Sequence, residues 1–231
     1  MASSRLERAV QTLGPVTLLD VGCGCGRHFT RTLVRDCPRV VGIDVSPNLS
    51  RWREVSRSDG VSFCRMDAVA LGFARDSFPL VLERATLHHI AQWQEALAEM
   101  IRVSSQNVFL EEPVDDLRSS AKQRTHEAQG CFLKLQAEVG YPHYRHLDRV
   151  ALLSAVERRA VLLEAHLERS DAPVAFDEFF ESFHAFASRS EREGYWLEQL
   201  RELRARFGGA PLCEDDTLTV LAAKGTSHTS P

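Results

Sequence analysis

The 231-residue chain is short of several things, and each shortage removes a class of protein. No apolar run reaches membrane length, so no spanning helix is expected. The opening stretch MASSRLERAVQTLG is amphipathic with charges inside it and lacks the apolar core of a secretory signal. The six cysteines are irregularly spaced and form no paired C-x-x-C clusters, which reads as reduced thiols rather than a disulfide framework or a structural zinc site. A cytoplasmic location is the expectation that follows. Basic residues are outnumbered, 28 Lys and Arg against 32 Asp and Glu for a formal net charge of -4. No overall positive field therefore draws in a nucleic-acid backbone. Internal repeats and low-complexity segments are also absent, and the tail from Gly225 to Pro231 has nothing to pack and is expected to be disordered.

What is present is an ordinary globular composition, 44% hydrophobic and 26% charged, in one domain's length. Short apolar runs alternate with helix-like stretches, as a parallel sheet with crossover helices requires. Strands are expected at Val16–Val21, Val40–Val45, Val61–Arg65, Leu80–Glu83, Asn107–Leu110, Val161–Glu168 and Thr217–Ala222. Helices are expected at Arg27–Asp36, at Leu49–Ser58 behind Ser46 and Pro47, and at Trp93–Val103, Leu117–Val139 and Leu147–Arg159. The fold class is thus α/β, doubly wound around a mostly parallel seven-stranded, Rossmann-like sheet. A helical stretch from Phe176 to Phe207 interrupts the last two strands, where a simple sheet needs only a turn.

The strongest local signal is LLDVGCGCGRHF, in which a buried strand ends at Asp20 and passes through Gly22, Gly24 and Gly26 into a helix. Glycine is required where the turn is tight and a ligand lies on bare backbone. About 18 residues past the last glycine a second strand ends in Asp44, a carboxylate placed to accept ribose hydroxyls. The spacing is D-x-G-x-G-x-G and not the dinucleotide G-x-G-x-x-G, so the expected ligand carries no pyrophosphate.

On these residues, together with VGIDVS and LHHI, the stretch from Val16 to Pro113 resembles the class I S-adenosylmethionine-dependent methyltransferases of the small-molecule type. The resemblance implies S-adenosylmethionine as cofactor. It implies that Asp20, Gly22, Gly24 and Gly26, with Cys23 among them, hold its methionine part, and that Asp44 binds its ribose. Val45 and Ser46 would flank the ribose or adenine edge, Asp67 beside Ala68 would cap the adenine amino group, and Glu83, Arg84 and Ala85 would lie near the sulfur. Relatives commonly read F-D-L-V at the fourth strand, where this chain has Phe78, Pro79, Leu80 and Val81. Residues 1–113 are then the cofactor-binding half, and 114–225 the rest of the sheet with helical insertions at about 117–145 and 176–207 forming a cap or lid. The tail 226–231 lies beyond both.

A sulfonium methyl is already activated, so the protein must chiefly align an acceptor and exclude water, with a general base needed only for a protonated acceptor. His88, His89 and Glu111 are the candidates, because they leave the carboxyl ends of strands, where ligands of open α/β sheets bind. Each also has a packing or capping reading. His126, His143, Tyr144 and His146 lie near the extra segment. No histidine pair has i, i+4 spacing on a firm helix, so no metal site is expected. Only about 15 residues precede the first strand, too few for the N-terminal cap many relatives carry. Phe176, Phe179, Phe180, Phe183 and Phe186 recur at helical spacing and suggest an aromatic face that either packs on the core or walls the acceptor. The expected reaction is methyl transfer to a small molecule, with nucleic acid and membrane disfavoured as partners. The alternatives are a protein or RNA methyltransferase, although an N-P-P-Y type motif is absent, or a non-catalytic S-adenosylmethionine-binding regulator.

Overall fold

The computed structural model describes residues 5–26, 30–46, 49–56, 60–115, 117–141, 143–144 and 146–225. Its main sheet holds β1 (Leu18–Val21), β2 (Val40–Asp44), β3 (Val61–Arg65), β4 (Phe78–Arg84), β5 (Ser104–Val114), β6 (Ala160–Glu168) and β7 (Asp216–Lys224). The spatial order is β3-β2-β1-β4-β5-β7-β6, with β7 antiparallel to both of its neighbours and the other pairs parallel. The helices are α1 (Arg5–Leu13), α2 (Thr30–Leu33), α3 (Leu49–Val55), α4 (Trp93–Val103), α5 (Ser120–Glu138), α6 (Arg149–Glu157), α7 (Phe176–Phe179), α8 (Phe183–Ala187) and α9 (Glu193–Phe207). The Rossmann-like class expected from the alternation of elements is the one observed.

The two-residue period of the strands divides the core. Leu18, Leu80, Leu82 and Phe109 face one side, where Leu6 and Val10 of α1 and Leu33 of α2 cover them. Leu19, Val21, Val81, Val108 and Leu110 face the other and meet Leu97 and Met100 of α4 and Leu152 and Val156 of α6. With both faces buried, the central strands read as unbroken apolar runs. The N-terminal segment is therefore a cover for the sheet face, through α1. A two-residue ladder, Pro173–Val174 against Leu212–Cys213, ties down the ends of the late insertion.

Several elements differ from expectation at their ends. β5 continues through Pro113 to Val114. β4 ends at Arg84, level with Glu111, so beyond that point the N–H missing at Pro113 breaks no ladder on the β4 side. β4 begins at Phe78, with a register shift around Pro79. The insertion expected as a helical stretch from 176 to 207 is three helices, because turns at Phe180–Ser182 and Ser188–Arg192 break it and Ser190 Oγ accepts the Arg192 N–H at 2.9 Å. Residues 27–29, 47, 57, 58 and the tail 226–231, on which parts of the expected helices, the Pro47 signal and the expected disorder fall, lie outside the described residues.

Candidate cofactor and acceptor site

The glycine loop closes the carboxyl end of β1. Gly22, Gly24 and Gly26 all have positive φ, and the space around them separates their roles. A β-carbon on Gly22 would stand 2.2 Å from Thr86 Cγ2, and one on Gly26 would stand 2.3 Å from Phe63 Cζ, so those two are glycine for the protein's own packing. A β-carbon on Gly24 would meet nothing within 4 Å, so its bare backbone faces open space. Trp52 of α3 donates from Nε1 to the Gly24 carbonyl at 2.8 Å and stacks on Phe63, 5.2 Å between centroids. Asp44 holds the same loop from β2, its Oδ2 accepting the Gly24 N–H at 2.9 Å and its Oδ1 the Ser46 N–H at 2.8 Å. Each oxygen keeps lone-pair capacity for a hydroxyl.

These residues open onto a cavity of about 580 Å³, within the range that holds a cofactor. Of the residues expected at the cofactor, Gly22, Gly24, Asp44, Val45, Ser46, Asp67, Ala68 and Ala85 line it. Ile43, Met66, Ile90, Thr86, Cys25, Gly140 and Tyr141 line it too and were not anticipated. Ile43, Met66 and Ile90 supply apolar wall for a planar base, whereas Tyr141 arrives from the loop after α5 and had no local signal. The Asp67 Oδ1 accepts the Val69 N–H at 3.1 Å, which sets that carboxylate on the rim. An adenosyl sulfonium compound fits this set: open space over Gly24, the Asp44 carboxylate beside it, and an apolar wall of Ile43, Met66 and Ile90.

Five expected residues stand elsewhere. Asp20 is buried beneath the loop, where it accepts the Thr30 hydroxyl at 2.6 Å, and burial lifts its carboxyl to about 7. Cys23 and Gly26 support the loop from behind, the Cys23 sulfur lying against Gly42. Burial pushes the Cys23 thiol far up, so it remains protonated. Arg84 pairs with Glu111 at 2.6 Å across β4 and β5. Glu111 is thereby engaged in a strand-to-strand ion pair, and it is the neighbouring Glu112 that reaches the histidines, because adjacent strand residues face opposite ways. Glu83, the fifth, is fully buried beside Glu112.

The turn after β4 is built on that buried acid pair. Ala85 takes a positive φ of 50°, a conformation that costs an alanine about 1 kcal/mol. It aims the next two amides downward, so Glu112 Oε1 accepts Thr86 N–H at 2.7 Å and Leu87 N–H at 2.6 Å, while Oε2 meets His88 Nδ1 at 2.7 Å. Burial and the neighbouring Glu112 charge hold the Glu83 carboxyl well above the usual range. Glu112 itself sits below it, since the bond to His88 and the others outweigh its burial. The pair thus shares one negative charge. Glu83 Oε1 finds no partner among the described residues.

Beyond the turn the histidines gather. His89 lines the cofactor cavity, and its ring lies 4.4 Å from that of His143, which lines a second cavity of about 220 Å³ with Phe132, Tyr144, His146 and Phe179. The Tyr144 N–H donates to the His88 carbonyl at 3.1 Å and staples this loop to the turn. Burial, with His89 and His88 alongside, depresses His143 to about 3. His146 is raised instead, because Asp115 and Asp215 outweigh its burial. Over this region α5, α8 and α9 share an apolar cluster of their own, with Phe180, Phe183, Trp196 and Phe207 at its centre and Phe132 against it. Lys122 of α5 anchors it to the sheet through the buried Asp216 at 2.7 Å, with Arg118 on the other carboxylate oxygen at 2.5 Å. All six cysteines are free, and no helix among the described residues is long and apolar enough to cross a membrane.

The sheet order and the cavity at its carboxyl edge define a class I methyltransferase fold. Residues 19–110 match the family described as a methyltransferase domain, and the chain carries a domain of the class I S-adenosylmethionine-dependent type. Among curated proteins, tRNA U34 carboxymethyltransferase of Shewanella sp. (strain W3-18-1) is 36% identical over 90 residues, which are 37% of this chain and 27% of that protein. The chain thus aligns with about a quarter of that relative's length. Among solved structures, a SAM-dependent methyltransferase of Methanosarcina mazei has a TM-score of 0.61 at 14% identity, over 97% of this chain and 99% of that one. The N-methyltransferase NodS of Bradyrhizobium japonicum, bound to S-adenosyl-L-homocysteine, has a TM-score of 0.55 at 15% identity, over 95% and 88%. At those identities the shared property is the fold.

Proposed function

We propose that the protein transfers a methyl group from S-adenosylmethionine to a small-molecule acceptor. The observation that carries this reading is a pair of cavities, about 580 Å³ lined by His89 and about 220 Å³ lined by His143, with those two rings 4.4 Å apart. The larger has the backbone, acid and apolar wall for the cofactor. The smaller has aromatic and imidazole walls and room for a compact acceptor.

The cofactor supplies an activated methyl when bound; the chain's own residues bind and orient. The open space over Gly24 would take the methionine end and Asp44 would hold the ribose, with Asp67 and Ala68 at the base. Ala85 and Thr86 would close the wall nearest the reacting centre. Phe132 and Phe179 would exclude water from the acceptor, and confinement of the two reactants in line supplies most of the catalysis. His89 lines the cofactor cavity and stands where an acceptor proton would leave, whereas His143, depressed to about 3, stays neutral and is a wall and hydrogen-bond partner rather than a base.

An RNA acceptor is the second reading, favoured by the likeness to tRNA U34 carboxymethyltransferase and opposed by the net charge of -4. Calorimetry with S-adenosylmethionine tests the cofactor assignment. Asp44→Ala is expected to raise the dissociation constant by roughly tenfold or more, as loss of a charged hydrogen-bond partner does. An unchanged constant would overturn the role given to Asp44. Release of demethylated cofactor is then measured against a panel of metabolites and against tRNA, and turnover on tRNA alone would replace the small-molecule reading.

A further inference from the structure

Three imidazoles standing together without an obvious packing reason need an explanation. The rings of His88 and His89 lie 4.3 Å apart, those of His89 and His143 4.4 Å, and those of His88 and His143 5.2 Å. One nitrogen from each of the three falls within 4.8 Å of the others. Two ligands on a tetrahedral zinc-type ion stand roughly 3.4 Å apart, so the rings need to close by about an ångström. His88 and His89 come from the turn after β4 and His143 from the loop after α5, which is why no short spacing in the chain announces the group.

The second observation concerns what lies behind the rings. His88 Nδ1 is bonded to Glu112 Oε2 at 2.7 Å and His143 Nδ1 to Gln136 Oε1 at 2.9 Å. An imidazole that donates from Nδ1 to a carboxylate or amide oxygen is locked in the tautomer whose Nε2 carries a lone pair, and its ring is fixed in orientation. Histidines that ligate metals are held in this way by an outer carboxylate or carbonyl. The ring of His146 lies 5.5 Å from that of His88, but its Nδ1 faces Asp115 and Asp215 and belongs to a neighbouring pair.

We propose that His88, His89 and His143 form a three-histidine site for a divalent transition-metal ion of the zinc or cobalt type, set between the cofactor cavity and the second cavity. Three neutral nitrogens leave a fourth position for an oxygen ligand. That position would lie between the cavity lined by His89 and the one lined by His143, so the acceptor class it selects is one with an ionisable oxygen, whose acidity a bound cation raises. The metal site stands on the geometry alone; the choice of acceptor rests on the methyl-transfer reading as well.

The test is titration of the chelator-treated, full-length protein with Co²⁺, followed by visible absorption, and with Zn²⁺, followed by calorimetry. One equivalent is expected to bind, with the spectrum of a four-coordinate nitrogen and oxygen site. His143→Ala and His89→Ala are each expected to lower affinity at least tenfold. Glu112→Gln, which keeps an amide oxygen for the Thr86 and Leu87 N–H groups and sets an NH2 against His88 Nδ1, should lower it by about 10-fold to 100-fold. His184→Ala, on α8, should leave binding unchanged. Absence of one-equivalent binding, or binding that survives His89→Ala combined with His143→Ala, overturns the site. Because His89 and His143 are only partly buried, their variants are expected to melt with the wild type; if Ala variants do not fold, His143→Asn gives the same readout. S-adenosylmethionine affinity is measured on the same metal-free samples. Retained cofactor binding with no metal binding sinks this proposal alone, and lost cofactor binding with intact metal binding sinks the earlier reading alone.

Discussion

The carboxyl edge of the sheet and the helical layer over it are built on different principles. The edge is made of backbone: glycines with positive φ, amides aimed at Asp44 and Glu112, and a strained Ala85. The layer is made of side chains, rings from Phe132, Phe180 and Phe183 packed into a cluster separate from both faces of the sheet. A wall built from backbone tolerates little change and suits a cofactor of fixed shape. A self-contained packed layer can vary in its cavity-facing residues while its core keeps it folded, which suits it to the acceptor.

The largest expected effect breaks the edge. Glu112→Ala leaves Leu87 N–H and His88 Nδ1 without their buried acceptor and Thr86 N–H with only the longer bond to Glu83 Oε2 at 3.1 Å, and a loss of about 3–5 kcal/mol in urea unfolding is expected. A loss below about 1 kcal/mol would show that the turn stands without the acid. Next comes the layer. Phe183→Ala, at a fully buried ring, should cost about 3–4 kcal/mol in the opening of α5, α8 and α9 seen by hydrogen exchange, with cofactor affinity unmoved. Equal loss of protection in β1 and β4 would show that the two regions unfold as one.

The anchor between the regions predicts a pH dependence. Asp216 is held at about 2, against an ordinary 3.8, because Arg118 and Lys122 outweigh its burial. A lowered acid stabilises the folded state above its unfolded value. About 2 kcal/mol is therefore present above pH 4 and lost as the pH falls from about 4 to 2. Unfolding of Asp216→Asn followed over that window should lack this component; a slope equal to wild type would assign it elsewhere. The smallest effect refines the edge. Trp52→Phe keeps the stack on Phe63 and loses the bond to the Gly24 carbonyl, so cofactor affinity should weaken by about 1 kcal/mol, read by calorimetry.

The two regions also differ in how far they could be read in advance. Gly22, Gly24 and Asp44 were legible because a tight turn and a strand-end acid constrain neighbouring positions in the chain. Asp20 was misplaced from wall to strut, since an acid that caps a loop from beneath and one that faces a ligand look alike in sequence. Glu111 and Glu112 look alike in sequence for the same kind of reason: which of two adjacent strand residues turns inward depends on register with β4. Tyr141, Trp52 and the grouping of His143 with His88 and His89 depend on loops meeting across distant parts of the chain.

What the amino-acid order determined alone is the α/β sheet and the glycine-and-acid cradle, because apolar periodicity and backbone strain act over a few residues. What only the folded chain decided is the inward acid, the three assembled imidazoles and the separate core of the helical layer. Those rest on register, burial and contacts between segments far apart in sequence, and no local pattern carries that information.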